Sequence, residues 1–272
     1  LLEDPALALE RMRSQEAKPI DQTQSGLPPF RNAALASFSQ QAIREDFVNA
    51  IAAVKGQLGR PYTLVINGTD IRTNDMIDSV NPAQPAQVIG RVCQAGTDEV
   101  SKAIKAAQSA FPVWRDTPGP ERAQYLIRTA EILQHRITDI CAWQILEQGK
   151  QWSQAYNDVA EAIDFLNYYA REMIRLSKPQ YLGHAPGEIN EYLYEPKGTA
   201  AVISPWNFPL AIACGMCSAA LVTGNCVIFK PSNQAPVVGH ILMQAFAEAG
   251  LPEGVINFTP GRAAVMGDFL VD

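Results

Sequence analysis

From Gly198 onward, short apolar runs alternate with stretches of helical period, and this alternation limits the architectures open to the chain. Residues 199–204, 226–229 and 255–258 are short, apolar and bounded by turn residues, which predicts strands. Between them lie a small-residue stretch at 210–221 and a helical stretch at 237–249 that stops at Gly250, a residue suited to a helix end. Another helix is expected to open near Gly261. Strands alternating with helices call for βαβ units and a parallel sheet. Residues 198–272 are therefore expected to form the first part of a Rossmann-like, doubly wound α/β nucleotide-binding sheet.

Upstream the period is mostly helical. Thr97 suits a helix cap, with Asp98 and Glu99 in the first turn and Val100, Ile104, Ala107 and Phe111 on one face. Residues 118–149 read as one longer helical region, with Leu126, Ala130, Leu133, Ile137 and Ile140 in phase, and 161–176 as another. Residues 62–67 predict a strand closed by the turn signal Asn67-Gly68. Residues 1–60 look peripheral. Leu2, Leu7, Leu9 and Met12 suit a short helix, 18–31 a Pro-, Gln- and Ser-rich linker, and Phe47, Ile51 and Val54 an amphipathic helix.

Composition excludes some partners. The 272 residues carry a formal net charge of −6 and show no basic patch, which argues against nucleic acid. No apolar run is long enough to span a membrane, and residues 1–17 lack a signal-peptide pattern, although the first residue is Leu rather than Met. Cys93, Cys141, Cys214, Cys217 and Cys226 are an odd, dispersed set, expected as reduced thiols in a cytoplasmic protein. The Cys214-x-x-Cys217 spacing admits a redox or metal pair. Its small-residue helical setting favours packing thiols. His135, His184 and His240 lack metal-ligand spacing, so no metal site is expected.

Ser204-Pro205-Trp206-Asn207-Phe208-Pro209 sits at a strand-to-helix junction, where open α/β sheets bind ligands. A side-chain amide there can donate to a developing oxyanion, and the flanking aromatics can wall an apolar channel. A Pro-bounded turn with an Asn cap explains the same residues. The hexapeptide resembles the signature of the aldehyde dehydrogenase superfamily. The likeness continues in Leu221-Val222-Thr223-Gly224-Asn225, Phe229-Lys230-Pro231-Ser232, Ala249-Gly250-Leu251-Pro252-Glu253-Gly254-Val255 and Asn257-Phe258-Thr259-Pro260-Gly261. It implies that Asn207 is the oxyanion donor and that Trp206 and Phe208 line the cofactor and substrate channels. Ile203, Ser204 and Pro205 would shape the cofactor groove, Lys230 would hydrogen-bond the adenosine ribose hydroxyls, Ser232 would contact the cofactor, and Gly261 would lie close to it. Taken without the resemblance, Lys230 is an ordinary surface lysine at a strand end.

Two departures from the family pattern matter. Asn233 stands where many members carry Glu, which removes a charge that disfavours NADP, so the resemblance implies NAD with NADP tolerated. Ala263 replaces the second Gly of Pro-Gly-x-Gly. The stretch from Glu161 to Arg171 and the stretch from Arg262 to Asp272 resemble the glutamate-γ-semialdehyde dehydrogenase branch. Glu161 would then sit near the substrate, although a solvated helix face suits it equally. Pro28-Pro29-Phe30-Arg31-Asn32 resembles the segment joining the two enzymes of bifunctional proline-catabolic proteins, implying a proline dehydrogenase domain upstream. The implied division is an extension or linker over 1–60, a helical region with oligomerisation-type strands over 61–197, and the first part of the NAD-binding domain over 198–272. The catalytic domain and its cysteine are expected outside the sequence, in a homo-oligomeric full-length protein. A succinate-semialdehyde type enzyme and a non-catalytic dinucleotide-binding fragment stay open as alternatives.

Overall fold

The computed structural model describes residues 26–183 and 186–271; the helix expected over residues 2–12 and His184 lie outside them. The amphipathic period around Phe47 forms α1 (Gln41–Lys55), with Phe47 and Val54 fully buried. Residues 41–55 are therefore not peripheral. Burying a side chain such as Phe47 stabilises by about 1.5–3 kcal/mol, and its ring packs edge-on against Phe38 and obliquely against Trp152. The segment ahead of α1 is also tied down: Asp164 accepts the Asn32 amide and the Ala33 N–H, each at 2.7 Å.

The single strand expected over 62–67 is two. β1 (Arg60–Tyr62) runs parallel to one sheet and β2 (Leu64–Ile66) joins another, with Thr63 between them. Asn67 (φ 52°) and Gly68 (φ 71°) make the left-handed two-residue turn into β3 (Thr69–Ile71) that their sequence favours. A long hairpin follows, β4 (Met76–Asn81) with β5 (Gln84–Cys93). The sequence pattern carries no signal of this hairpin, whose pairing is interrupted by register shifts at Ser79–Asn81.

The cap of α2 (Thr97–Asp116) lies one residue earlier than expected. Gly96 occupies the cap, and Glu99 reaches back to accept the Gly96 N–H at 3.0 Å. The region 118–149 divides at Arg136 (φ −107°) into α3 (Gly119–His135) and α4 (Ile137–Gln148). The apolar period passes through the break because Leu126, Leu133 and Ile140 enter one core. α5 (Trp152–Leu176) is followed by an exposed hairpin, β6 (Gln180–Gly183) with β7 (Asn190–Tyr192).

The expected alternation then appears: β8 (Thr199–Ile203), α6 (Ala211–Val222), β9 (Cys226–Lys230), α7 (Pro236–Glu248), β10 (Ile256–Phe258) and α8 (Ala263–Val271). β8, β9 and β10 pair in parallel, while β2 adds to β10 antiparallel, giving the order β3-β2-β10-β9-β8. Every residue of β9 is buried, so this interior strand is covered on both faces, as a doubly wound sheet requires. Asn257 in β10 ties the edge hairpin to the sheet by accepting the Asn67 N–H at 2.9 Å.

The helices of the sheet are capped from outside. α6 has Leu210 at its N-cap and α7 has Ala235, neither with a side-chain cap. Asp158 of α5 accepts the Ala211 N–H at 2.8 Å. Glu147 of α4 accepts the Val237 and Val238 N–H groups, both at 2.9 Å, and the Ser79 hydroxyl at 2.6 Å. At the other ends Arg122 donates to the Val222 carbonyl, Trp114 to Leu221 and Arg128 to Ala249. Carboxylates thus meet both helix N-termini and guanidinium groups both C-termini, matching the helix dipoles. Burial pushes the Glu147 carboxyl up to about 7, against the pull of these three donors. Glu147→Ala would strand two buried N–H groups, and we expect it to cost about 2–4 kcal/mol. That should appear in urea denaturation as a lower midpoint at unchanged slope; a loss below about 0.5 kcal/mol would contradict the capping role.

Candidate active site

The three parallel strands deliver their carboxyl ends to one edge of the sheet, and the residues singled out from sequence follow those ends. Ile203 and Lys230 are paired across β8 and β9, and the Ser204 N–H donates to the Lys230 carbonyl at 3.1 Å. Lys230 is buried, its ammonium donates to the Pro231 carbonyl at 3.3 Å, and burial draws its pKa below the ordinary lysine value. Ser232 accepts the Gln234 N–H at 3.2 Å, closing the turn into α7. Asn233 Oδ1 is buried without a hydrogen-bond partner, although a buried amide oxygen ordinarily has one.

Beyond β8 the chain opens. Pro205, Trp206, Asn207 and Phe208 are exposed, and Pro209 and Leu210 bury again as α6 begins. Trp206, Asn207 and Phe208 share a depression of about 310 Å³ with Gln148, Gly149, Lys150, Gln154 and Asn157. Trp206 also walls a second one of about 360 Å³, lined among others by Asn233, Gln234, Glu147 and Ser79. The indole therefore separates a cleft containing Asn207 from one containing Asn233.

Other expected residues stand apart. Gly261 follows β10, where an added Cβ would collide with the Met266 sulfur and lie 2.8 Å from the Ala95 carbonyl oxygen, so only glycine fits. Glu161 is exposed on α5, one turn beyond Asn157, and does not line the Asn207 depression. Partial burial, then the nearby Asp158 carboxylate, lift its carboxyl above the ordinary value.

Lys150 and Asp158 were not singled out by sequence. Lys150 follows the left-handed Gly149 that ends α4, and its ammonium lies 2.8 Å from Asp158 Oδ2 and 4.4 Å from the centroid of the Phe208 ring. Burial raises the Asp158 carboxyl and Lys150 opposes that rise. A lysine after a glycine at a helix end carried no signal of this, because its partners are 8 and 58 residues away.

None of the five cysteines borders these clefts, and all are buried and unbridged. Burial raises the thiols of Cys141, Cys214 and Cys217, and pushes Cys226 up to about 12, so these four are held as thiols. Among the described residues no helix is long and apolar enough to cross a membrane.

Residues 70–272 match the aldehyde dehydrogenase family. The chain is 44% identical over 246 residues to 1-pyrroline-5-carboxylate dehydrogenase 1 of Halalkalibacterium halodurans, covering 90% of this chain and 48% of that protein. It is 45% identical over 244 residues to 1-pyrroline-5-carboxylate dehydrogenase of Geobacillus kaustophilus, covering 90% and 47%. The chain thus spans about half the length of the curated relatives it matches. Among solved structures, the 1-pyrroline-5-carboxylate dehydrogenase from Thermus with bound NAD superposes at TM-score 0.88 and 40% identity, covering 90% of this chain and 48% of that one. Proline utilization A from Bdellovibrio bacteriovorus gives 0.87 and 41%, covering 90% and 27%. The strand-end clefts, the fold and the match over residues 70–272 converge on one conclusion: the chain belongs to the aldehyde dehydrogenase family.

Proposed function

We propose that this chain supplies the cofactor groove and the oxyanion donor of an enzyme that oxidises L-glutamate-γ-semialdehyde to L-glutamate in proline catabolism, using NAD. The observation that carries the proposal is the 44–45% identity, over nine-tenths of the chain, to relatives named 1-pyrroline-5-carboxylate dehydrogenase. In this reading residues 198–272 are the first part of the NAD-binding domain, 61–197 a helical region with oligomerisation-type strands, and 1–60 an extension or linker. Similarity to proline utilization A supports a parent chain that also carries a proline dehydrogenase domain.

The residues present fit NAD. The orphaned Asn233 amide oxygen and the Lys230 ammonium stand at the turn after β9, where donors and an acceptor suit ribose hydroxyls. Ile203, Ser204, Pro205 and Ser232 shape the groove floor, Trp206 walls it, and Gly261 leaves its turn free of a side chain. Bound there, NAD would accept a hydride. Asn207 acts on the substrate: its amide donates to the carbonyl oxygen as negative charge develops during thiolate attack. Phe208 and Trp206 wall the aldehyde channel and exclude water, and Glu161, outside the depression itself, is assigned to its mouth by resemblance alone. The attacking thiolate and the base for thioester hydrolysis come from outside the described residues, since the thiols within them are buried.

The reading also assigns a homo-oligomer. The β6–β7 hairpin exposes Tyr181, Ile189 and Tyr192, the kind of apolar edge that pairs with a second copy. Sedimentation of the full-length protein at the mass of one chain would contradict this.

Two kinetic predictions follow for the full-length enzyme. Glutamate-γ-semialdehyde should exceed acetaldehyde and succinate semialdehyde in kcat/KM; equal values would point to a different aldehyde dehydrogenase, and no turnover to a non-catalytic dinucleotide-binding role. NADP should be used measurably, because Asn233 places no negative charge against a 2′-phosphate. Asn233→Glu should lower kcat/KM for NADP by about tenfold, the equivalent of about 1.4 kcal/mol, and leave NAD little changed. An unaltered NADP/NAD ratio would remove Asn233 from the ribose.

A further inference from the structure

The segment 205–210 that carries Asn207 is held at both ends by hydrogen bonds from flanking backbone N–H groups. At one end Ser204 donates to the Lys230 carbonyl. At the other, Ala211 donates to Asp158 at 2.8 Å, the contact that replaces the missing cap of α6. Midway, the Phe208 ring lies 4.4 Å from the Lys150 ammonium, which is itself paired with Asp158 at 2.8 Å. Lys150 and Asp158 are 9% and 0% exposed at their side chains. A buried ion pair is a poor source of stability, since desolvating both charges offsets their attraction. Here the pair joins the two restraints on one loop, through a cation–π contact on one side and a helix N-terminus on the other.

We propose that Lys150 and Asp158 are positioning residues that hold Asn207 in its working place, Lys150 through the Phe208 ring and Asp158 through the first turn of α6. The proposal rests on the reading of Asn207 as oxyanion donor. Asp158 is fully buried behind the cleft, and Lys150, although it borders the cleft, has its ammonium engaged by Asp158 and the Phe208 ring. They fix the loop so that the amide does not have to be reoriented as charge develops, and small misplacements of such a donor cost rate steeply.

The test is a double-mutant cycle in the full-length enzyme. Asn207→Ala alone should lower kcat about 100-fold. Lys150→Met should lower kcat about 10- to 100-fold with little change in KM, and Lys150→Arg, which keeps the charge, should recover most of it. In the Asn207→Ala background, Lys150→Met should cost less than about threefold, because the group it positions is gone. If Lys150→Met does not fold, Lys150→Gln, which keeps a hydrogen bond to Asp158, takes its place in the cycle. Equal losses in both backgrounds would overturn the positioning role while leaving Asn207 as the donor. An unchanged kcat for Asn207→Ala would overturn the oxyanion reading and this proposal with it.

Discussion

Two helices of the nucleotide-type sheet begin without side-chain caps of their own, and the rest of the structure depends on how those starts are satisfied. A helix leaves several N–H groups unpaired at its start and several carbonyls at its end, and buried ones are costly. Ala211 at the start of α6 and Ala235–Val238 at the start of α7 are buried, so water does not serve those first-turn amides. The helical layer provides the partners. Asp158 and Glu147 reach the two starts, and Arg122, Trp114 and Arg128 reach the two ends. Each is a long-range contact, so α3, α4 and α5 are bonded to the sheet by directional interactions as well as by packing.

The packing is close where these contacts operate. Gly215 of α6 faces the Phe165 ring, and a Cβ there would lie 3.1 Å from it, so α5 and α6 approach along a line of minimal side chains. Arg122 closes the opposite side: besides Val222 it donates to the carbonyls of Trp114, Arg115 and Thr117, ending α2 and α6 together. The capped starts of α6 and α7 immediately follow the loops bearing Asn207 and Asn233. The charges that satisfy the helices therefore also set the walls of the two clefts, which Trp206 divides.

Much of this was legible in the chain. The alternation after Gly198 revealed β8 to β10 and their helices, because each element there is short, apolar and ended by Gly or Pro. The Asn67-Gly68 turn was legible for the same local reason. Boundaries fixed by tertiary contacts were not. Gly96 caps α2 although Thr97 has the better cap chemistry, since Glu99 completes the cap from within the helix. The break at Arg136 has no Gly or Pro to announce it. Of the candidate site, the residues following strand ends are marked by a motif in the sequence, while Lys150, Asp158 and Glu147 are not. Their partners lie in other elements, and a charged residue on a helix reads as solvated until the fold buries it.

Native-state hydrogen exchange on the full-length protein tests the central claim most directly. If external caps hold the two helices, the amides of Ala211, Val237 and Val238 should exchange only through large-scale unfolding, with protection close to that of the β9 amides. First-turn amides of uncapped helices exchange by local fraying. Rapid exchange at these three positions, with β9 still protected, would contradict the account.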